Sequence, residues 1–376
     1  MTKLSNRVTA VLVLAFMCAY MFMTVFSAKQ NRSSDENRTL AEYPAVSLSS
    51  LNDGSFADRL NTFTADHFAM RSRWLKLNSA IRTQVGEEIV NGVYITDDML
   101  LDAEVSSRGT ARASANAINS FISGYNGAVY IAAVPTSSGV YRENLPEYLD
   151  SYRESQQISD FYDMLNRNIK RIDAYNILKM LNDNYVYYRS DTKWTSYGAY
   201  CVYRTVIQKL GFLPTTYDKY SIRHITSDFR GNLWNRSQYS GVKPDMIDIY
   251  EYTGGASIVS CTGYYNGGKT AAKKLYDDRQ LESDYMYNVY LGEEVPFLRI
   301  KTTVKNERRL LVVKDSYADC FIPFLTQHYS EIDVISPELI EGSVRDFIDL
   351  NDYEQTLFLF GIENLSREGM LSALKK

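Results

Sequence analysis

The fold is decided by residues 309–316, which read RLLVVKDS, together with EIDVIS at 331–336 and TLFLFGIEN at 356–364. Each is an apolar run that ends in polar residues, and the patterns at 317–327 and 344–350 predict helices between them. Short crossovers of this kind force neighbouring strands to pair in parallel. Polar residues past the ends of such strands line the crevice where open parallel sheets bind ligands.

The same alternation of strands and helices extends toward the N-terminus. AVYIAAVP at 128–135 predicts a buried strand, 171–175 a short strand, and VYYRSDT at 186–192 a strand or strand end. Helices are predicted at 112–124, 155–169 and 195–210. The pattern predicts a parallel sheet with helices on both faces. Residues 213–305, rich in Tyr, Gly, Asn and Ser, predict an irregular, partly β insertion over that sheet.

The first 45 residues predict a membrane attachment. Residues 8–27 are uncharged and apolar-rich, and twenty helical residues span a hydrocarbon core of about 30 Å. Lys3 and Arg7 precede the run, which favours a cytoplasmic tail at 1–7 and an extracytoplasmic remainder. The length favours an uncleaved single-pass anchor over a cleaved signal peptide. Residues 28–45 then predict a polar stalk, and 46–376 the folded domain.

Composition excludes several classes of function. The 376 residues are 45% hydrophobic and 23% charged, which is typical of a folded globular chain. The formal net charge of −4 argues against a nucleic-acid partner. Three scattered histidines and four cysteines without short spacings predict no metal centre, no disulfide framework and no cofactor.

Three segments place polar groups just past predicted strand ends: 191–194 (DTKW), 314–316 (KDS) and 361–364 (GIEN). Ser316, at a strand-to-helix turn, is a candidate nucleophile, and its N–H at a helix start would favour a tetrahedral oxyanion. Asn364 could supply a second donor. The structural alternatives are that Ser316 caps the helix and that Asn364 belongs to a turn.

The chain resembles the DHHW protein family and, more distantly, the SGNH-like domains of alginate O-acetyltransferase-like proteins. The resemblance begins with ENRTLAEYP at 36–44 and continues through YYRSDTKWTSYGAY at 187–200. FRGNLWNRSQYSGVKPDMI at 229–247, KKLYDDRQL at 273–281 and KDSYADCFIPFLTQHYSEIDVI at 314–335 are similar to further family blocks.

This resemblance implies a three-layer α/β/α SGNH-hydrolase-like fold with a circularly permuted motif order. Ser316 takes the place of the nucleophile and Asp191 that of the acidic triad member. Asn364 and Asp315 are expected at the oxyanion or substrate-binding part of the site. Trp194 is expected to be either a core anchor, the preferred interpretation, or a wall for a sugar ring.

The chain departs from the family where a general base is needed. Thr192 and Lys193 stand in place of the two motif histidines. An ordinary lysine, with a pKa of about 10.4, is protonated at neutral pH and would need its pKa lowered by about three units to act as a base. Asp191 would raise that pKa instead, so we expect an Asp191–Lys193 ion pair rather than a Ser–Lys dyad.

Two functions remain open at this point. The first is a membrane-anchored extracytoplasmic protein associated with O-acetylation of a cell-wall or surface polysaccharide, with a membrane-bound O-acyltransferase as its partner. Its candidate catalytic residues are Ser316, Asp191 and Lys193, where Lys193 replaces the histidine that would act as the base. The alternative is a non-catalytic protein that binds glycan or a partner of an acetylation complex. A purely structural module would be favoured if side chains filled the crevice.

Overall fold

Two compact units make up the chain in the computed structural model: residues 1–87 with 238–240, and residues 88–237 with 241–376. The structure describes residues 2–26, 29–33, 36, 38–103, 108–149, 153–283 and 285–375. The predicted anchor and stalk include positions 27, 28, 34, 35 and 37, which lie outside the described residues.

The smaller unit is mainly helical. Its elements are α1 (Thr2–Phe26), β1 (Arg32–Ser33), β2 (Arg38–Thr39), α2 (Leu48–Asn52), α3 (Ser55–Asp66) and α4 (Arg71–Gln84). Within the described residues, α1 is the one helix long and apolar enough to cross a membrane, and a signal sequence near an N-terminus meets the same criterion. α1 already begins at Thr2, so the predicted tail is helical, and β1 and β2 form a small antiparallel pair inside the predicted stalk.

The larger unit alternates strands and helices. Its strands are β3 (Ile89–Val90), β4 (Val93–Ile95), β5 (Leu100–Asp102), β6 (Ala128–Val134), β7 (Lys170–Ile172), β8 (Tyr220–Phe229), β9 (Asp245–Tyr252), β10 (Ile258–Tyr264), β11 (Thr270–Ala272), β12 (Phe297–Thr302), β13 (Arg309–Lys314), β14 (Glu331–Ile335) and β15 (Gln355–Gly361). Its α-helices are α5 (Arg108–Phe121), α6 (Ser137–Val140), α7 (Glu154–Asp163), α8 (Ala174–Lys179), α9 (Ser196–Lys209), α10 (Asn232–Ser237), α11 (Ile322–Leu325) and α12 (Ile362–Leu365). Its 3₁₀ turns include Arg142–Asn144, Tyr217–Lys219, Asn266–Gly268, Asp278–Glu282, Met286–Val289, Ser316–Ala318, Pro337–Leu339, Val344–Asp346, Leu350–Asp352 and Ser372–Leu374.

The central sheet has eight strands in the order β11-β10-β12-β14-β13-β15-β6-β7. The five strands from β14 to β7 are parallel, with Lys314 opposite Leu359 and Gly361 opposite Val134. After β13 the chain continues to β14 on one side, whereas β15 lies on the other. A crevice therefore opens at the carboxyl ends of β13 and β15, as expected where strand connections diverge.

Alternate residues of the central strands face two different cores. Leu310, Val312, Leu357 and Leu359 belong to a core shared with α9 and α11. Their sequence neighbours, such as Val313 and Phe358, belong to a second core shared with α5 and α7. Because successive strand residues point to opposite faces, both faces of the sheet are covered, and the predicted three-layer α/β/α fold is confirmed.

Two short predictions are corrected by the structure. Residues 186–192 do not form a strand, because this loop pairs with itself: Tyr188 N–H donates to Lys193 O and Thr195 N–H to Val186 O. The predicted helix 317–327 is reduced to the turn Ser316–Ala318 and α11, since Pro323 lacks an N–H and is accepted only near a helix start.

The insertion contributes to the sheet itself. β10 and β12 run antiparallel and extend the parallel strands through the pairing of β12 with β14. β8 and β9 form a separate antiparallel hairpin. The insertion is therefore partly β, as the composition predicted, but three of its five described strands, β10, β11 and β12, lengthen the sheet instead of lying over it.

Candidate functional site

The end of β13 is fixed to the end of β15 by one buried carboxylate. Asp315 Oδ1 accepts the N–H of Tyr317 at 2.9 Å, and Oδ2 accepts the N–H of Gly361 and Nδ2–H of Asn364, both at 2.8 Å. Burial raises the pKa of Asp315 to about 6, against the lowering effect of the three hydrogen bonds. Asp315, rather than Ser316, is therefore the capping residue of this turn.

Ser316 is the first residue of the turn that follows β13, and it is partly exposed at the crevice. The structure thus places it at a strand end, but at a three-residue 3₁₀ turn instead of the long helix predicted there. Asn364 donates one of its amide hydrogens to Asp315, so it holds the turn in place and also faces the crevice.

Asp191 and Lys193 form a buried ion pair. Lys193 Nζ lies 3.6 Å from Asp191 Oδ1 and donates a hydrogen bond of 2.9 Å to the Tyr285 hydroxyl, which in turn donates to Asp191 Oδ2 at 3.2 Å. Burial opposes the charge of Lys193, but Asp191 and its other polar neighbours outweigh burial and raise the lysine pKa well above its usual value. Lys193 is therefore an ammonium group at neutral pH, not a base.

Residues from the insertion complete the surroundings of Asp191, which is fully buried. The Asn232 N–H donates to Asp191 Oδ2 at 2.9 Å. Gly231 packs so closely that a Cβ there would lie 2.3 Å from Asp191 Cβ. Gly231 and Asn232 lie in the family-like block at 229–247, so the sequence did indicate that this segment belongs to the site. Nothing in the sequence indicated Tyr285.

The two distant segments of the predicted site do converge. Trp194 Nε1–H donates to Tyr317 O at 2.8 Å, and the Tyr317 hydroxyl donates to Thr192 O at 3.0 Å. Trp194 stacks on Phe321 and has no exposed surface. The structure therefore gives Trp194 the place of a core anchor, and the substrate-binding role considered for it has no accessible ring face to support it.

A second lysine lies at the rim of the site. Lys314 is buried, with Nζ 2.7 Å from Asp319 Oδ1 and 2.9 Å from Glu294 Oε1. Burial opposes its charge, but the two carboxylates outweigh burial and raise its pKa, and Lys314 in turn lowers the pKa of Glu294. Like Lys193, Lys314 is held as a cation by acidic partners.

The histidines of the chain are engaged elsewhere. In the larger unit, His224 Nδ1 lies 2.6 Å from Asp248 Oδ1, and His328 Nε2 lies 2.6 Å from the Tyr203 hydroxyl. Burial lowers the pKa of His328 to about 4, so its ring is neutral. Neither imidazole is hydrogen-bonded to Ser316 among the described residues of this unit. In the smaller unit, His67 Nε2 contacts Ala41 O at 2.9 Å.

A polar cavity of about 420 Å³ adjoins Thr192 and Asn364. Glu154 and Glu363, to which the sequence pattern assigned no role, line it together with Asp102. Glu363 Oε1 accepts hydrogen bonds from Thr192 Oγ1 and the Tyr317 hydroxyl, and both oxygens of Glu154 accept from Thr136. Burial raises the pKa of Glu154 to about 7 and that of Glu363 to about 8.

The arrangement therefore combines a partly exposed serine, a lysine held as a cation and a cavity with weakly acidic carboxyl groups. Protonated carboxyls both donate and accept hydrogen bonds, as sugar hydroxyls do. The cavity volume falls within the roughly 300–1,000 Å³ of small-molecule sites. In the described residues, no cluster of three or more His, Cys, Asp or Glu side chains is placed to hold a metal ion.

Comparisons with known proteins identify the fold and the family pattern. The family model described as DHHW protein matches residues 87–335. A DHHW family protein from Eubacterium siraeum shares 22% identity over 76% of this chain and 96% of that chain, with a TM-score of 0.63. Bacillus cereus PatB1, solved with a sulfonyl adduct, shares 19% identity over 76% of this chain and 98% of PatB1, also with a TM-score of 0.63.

A weaker likeness links the chain to the O-acetyltransferase domain of Pseudomonas putida AlgJ, with 13% identity over 76% of this chain and 98% of that chain and a TM-score of 0.44. No curated protein matches the sequence.

Proposed function

Because this chain belongs to the DHHW protein family, we propose that it is an extracytoplasmic, membrane-anchored component of polysaccharide O-acetylation whose crevice binds glycan without a Ser–His–Asp cycle. In this proposal α1 is the uncleaved anchor, a membrane-bound O-acyltransferase is the partner that exports the acyl group, and a cell-wall or surface polysaccharide is the acceptor.

One observation carries the non-catalytic part of the proposal. Lys193 occupies the general-base position of the motif, and its ammonium group is paired with Asp191. A serine hydroxyl needs a base to accept its proton at neutral pH. The ammonium group of Lys193 is already protonated and cannot accept that proton. The neighbouring cavity, with its raised-pKa carboxyls Glu154 and Glu363, supports binding of a polyhydroxylated ligand.

The test restores the missing base. We expect the full chain in detergent to hydrolyse p-nitrophenyl acetate no faster than its Ser316→Ala variant. Lys193→His should place an imidazole beside Asp191 and raise Ser316-dependent hydrolysis by about tenfold or more, because a positioned general base contributes roughly 10²–10⁴ in rate. Lys219→His, at an exposed position, controls for hydrolysis by imidazole alone.

Two results would contradict this proposal. Hydrolysis by the native chain that Ser316→Ala abolishes would show a working serine. A folded Lys193→His variant with no increase in the rate of hydrolysis would show that the missing imidazole is not the reason for the lack of activity.

A second candidate, a serine acyl transferase with an altered base, is favoured by the position of Ser316. Ser316 is partly exposed at the crevice, and its hydroxyl makes no hydrogen bond to the described residues. Since PatB1 is described with a sulfonyl adduct, an arylsulfonyl fluoride is a suitable probe. Labelling of the native chain that is lost in Ser316→Ala would favour this candidate, and absence of labelling would exclude it.

A further inference from the structure

Helix α4 and the residues at its two ends present a stripe of large apolar side chains to the outside. The exposed side chains follow one another at intervals of four, three, four and four residues and are Met70 (45% exposed), Trp74 (40%), Leu77 (47%), Ile81 (51%) and Val85 (73%). These intervals place Trp74, Leu77 and Ile81 on one face of α4, with Met70 and Val85 at its two ends. The buried side instead contains Ser79. An ordinary surface helix has the opposite arrangement, with its apolar stripe toward the core.

Basic residues flank this stripe. α4 contains Arg71, Arg73, Lys76 and Arg82 and no acidic residue, in a chain whose net charge is −4. Arg71 pairs with Glu36 and Arg82 with Glu87. At about 100° per residue, Arg73 lies on one flank of the stripe and Arg71 and Arg82 on the other. An apolar face with tryptophan, bordered by basic residues, is typical of helices that lie in a membrane interface.

The stripe begins beside the outer part of α1. Trp74 Nε1–H donates to the Tyr20 hydroxyl at 2.7 Å, and Phe68 stacks on the Tyr20 ring with centroids 5.3 Å apart. The N–H of Ala69 donates to Thr24 Oγ1 at 3.2 Å. Tyr20 is six residues before the end of α1, or about 9 Å along its axis. This distance matches the roughly 5–10 Å to which interfacial helices bury their apolar face.

We propose that α4 lies in the headgroup region of the bilayer that α1 crosses, with the exposed stripe toward the acyl chains and Arg73 among anionic phospholipid headgroups. This inference rests on the proposed membrane anchor. The juxtaposition of Tyr20 and Trp74 favours lipid as the occupant, because these two residue types concentrate at the membrane interface. A second copy of the chain is the rival occupant.

Fluorescence quenching by brominated phospholipid tests the placement. The full chain is reconstituted in phosphatidylglycerol–phosphatidylcholine vesicles, with or without bromine on the acyl chains. The variant Trp74→Phe/Ile81→Trp places a reporter two turns beyond the contact with α1. Trp74→Phe/Leu213→Trp is the matched control, since Leu213 is an exposed leucine of the larger unit. The Trp74→Phe chain supplies the background of Trp194 and Trp234.

We expect bromination to reduce the emission from position 81 by roughly half or more and that from position 213 hardly at all, given the depth of an interfacial helix. The emission of the native chain minus that of the Trp74→Phe chain is the emission of Trp74. Bromination should quench it to the same extent, in a chain that keeps Ile81. In pure phosphatidylcholine, or with Arg73→Glu, quenching at position 81 should weaken, because anionic headgroups attract the basic flank.

Unquenched emission from position 81 would overturn the proposal, and cross-linking between copies through Ile81→Cys would then identify a second copy as the occupant. Equal quenching at 81 and 213 would also overturn it. Equal quenching in anionic and neutral vesicles would overturn the headgroup contact. Extraction of the chain by alkaline carbonate would refute the anchor itself, whereas a retained chain with unquenched position 81 would refute only the interfacial helix.

Discussion

Replacement of Glu363 by glutamine should stabilise the protein increasingly as pH rises. Burial and the nearby carboxylate of Asp102 raise the pKa of Glu363 from 4.5 to about 8, although Lys193 acts in the opposite direction. The folded state thus holds a proton that the unfolded chain releases above about pH 4.5. Stability from this group is fully present below that pH and is lost as pH rises toward 8.

The magnitude follows from the size of the pKa shift. Each pH unit in this window costs about 1.4 kcal/mol, so three units, from pH 5 to pH 8, cost at most about 4 kcal/mol. Glutamine is always neutral, and its amide oxygen can still accept from Thr192 and Tyr317, which both donate to Oε1. We expect Glu363→Gln to gain about 2–4 kcal/mol at pH 8 and under about 1 kcal/mol at pH 5.

Thermal unfolding of the full chain in detergent, followed by tryptophan fluorescence between pH 5 and 8, measures this difference. At about 2 °C per kcal/mol for a domain of this size, Tm should rise by roughly 4–8 °C at pH 8. Glu341→Gln, at an exposed position, controls for the loss of one negative charge. A Tm difference between Glu363→Gln and the native chain that does not change with pH, or that is negative at pH 8, would refute the reasoning.

Two further substitutions test the packing beneath the crevice. Trp194→Phe removes the hydrogen bond to Tyr317 O and leaves a gap against Phe321, so the free energy of unfolding should fall by about 2–4 kcal/mol. A fall of less than about 0.5 kcal/mol, measured by denaturant unfolding, would contradict the role of Trp194 as a core anchor. Gly231→Ala puts a methyl group 2.3 Å from Asp191 Cβ and Oδ2, and we expect a loss of about 1–3 kcal/mol. An unchanged midpoint in the same measurement would mean that the loop moves away without cost.

The sequence alone predicted the buried parallel strands at the centre of the sheet. The apolar runs at 128–135, 309–316 and 356–364 correspond to β6, β13 and β15, because a strand buried on both faces must be apolar throughout. The boundaries of the connecting helices were not predictable, since residues 317–327 and 344–350 have helical patterns but fold as 3₁₀ turns and the four-residue helix α11. There, packing against the sheet and the position of Pro323 override the local preference.

What the sequence by itself determined is which groups the site contains: a serine just past β13 at position 316, and an aspartate and a lysine, the latter in place of an imidazole, in the loop at positions 191 and 193. Only the tertiary structure decided how they are held. The Tyr285 hydroxyl reaches Asp191 across 94 positions, and Asp315 binds Asn364 across 49. Such contacts depend on how far folded segments approach one another, and their pKa shifts depend on burial, neither of which a local pattern of residues encodes.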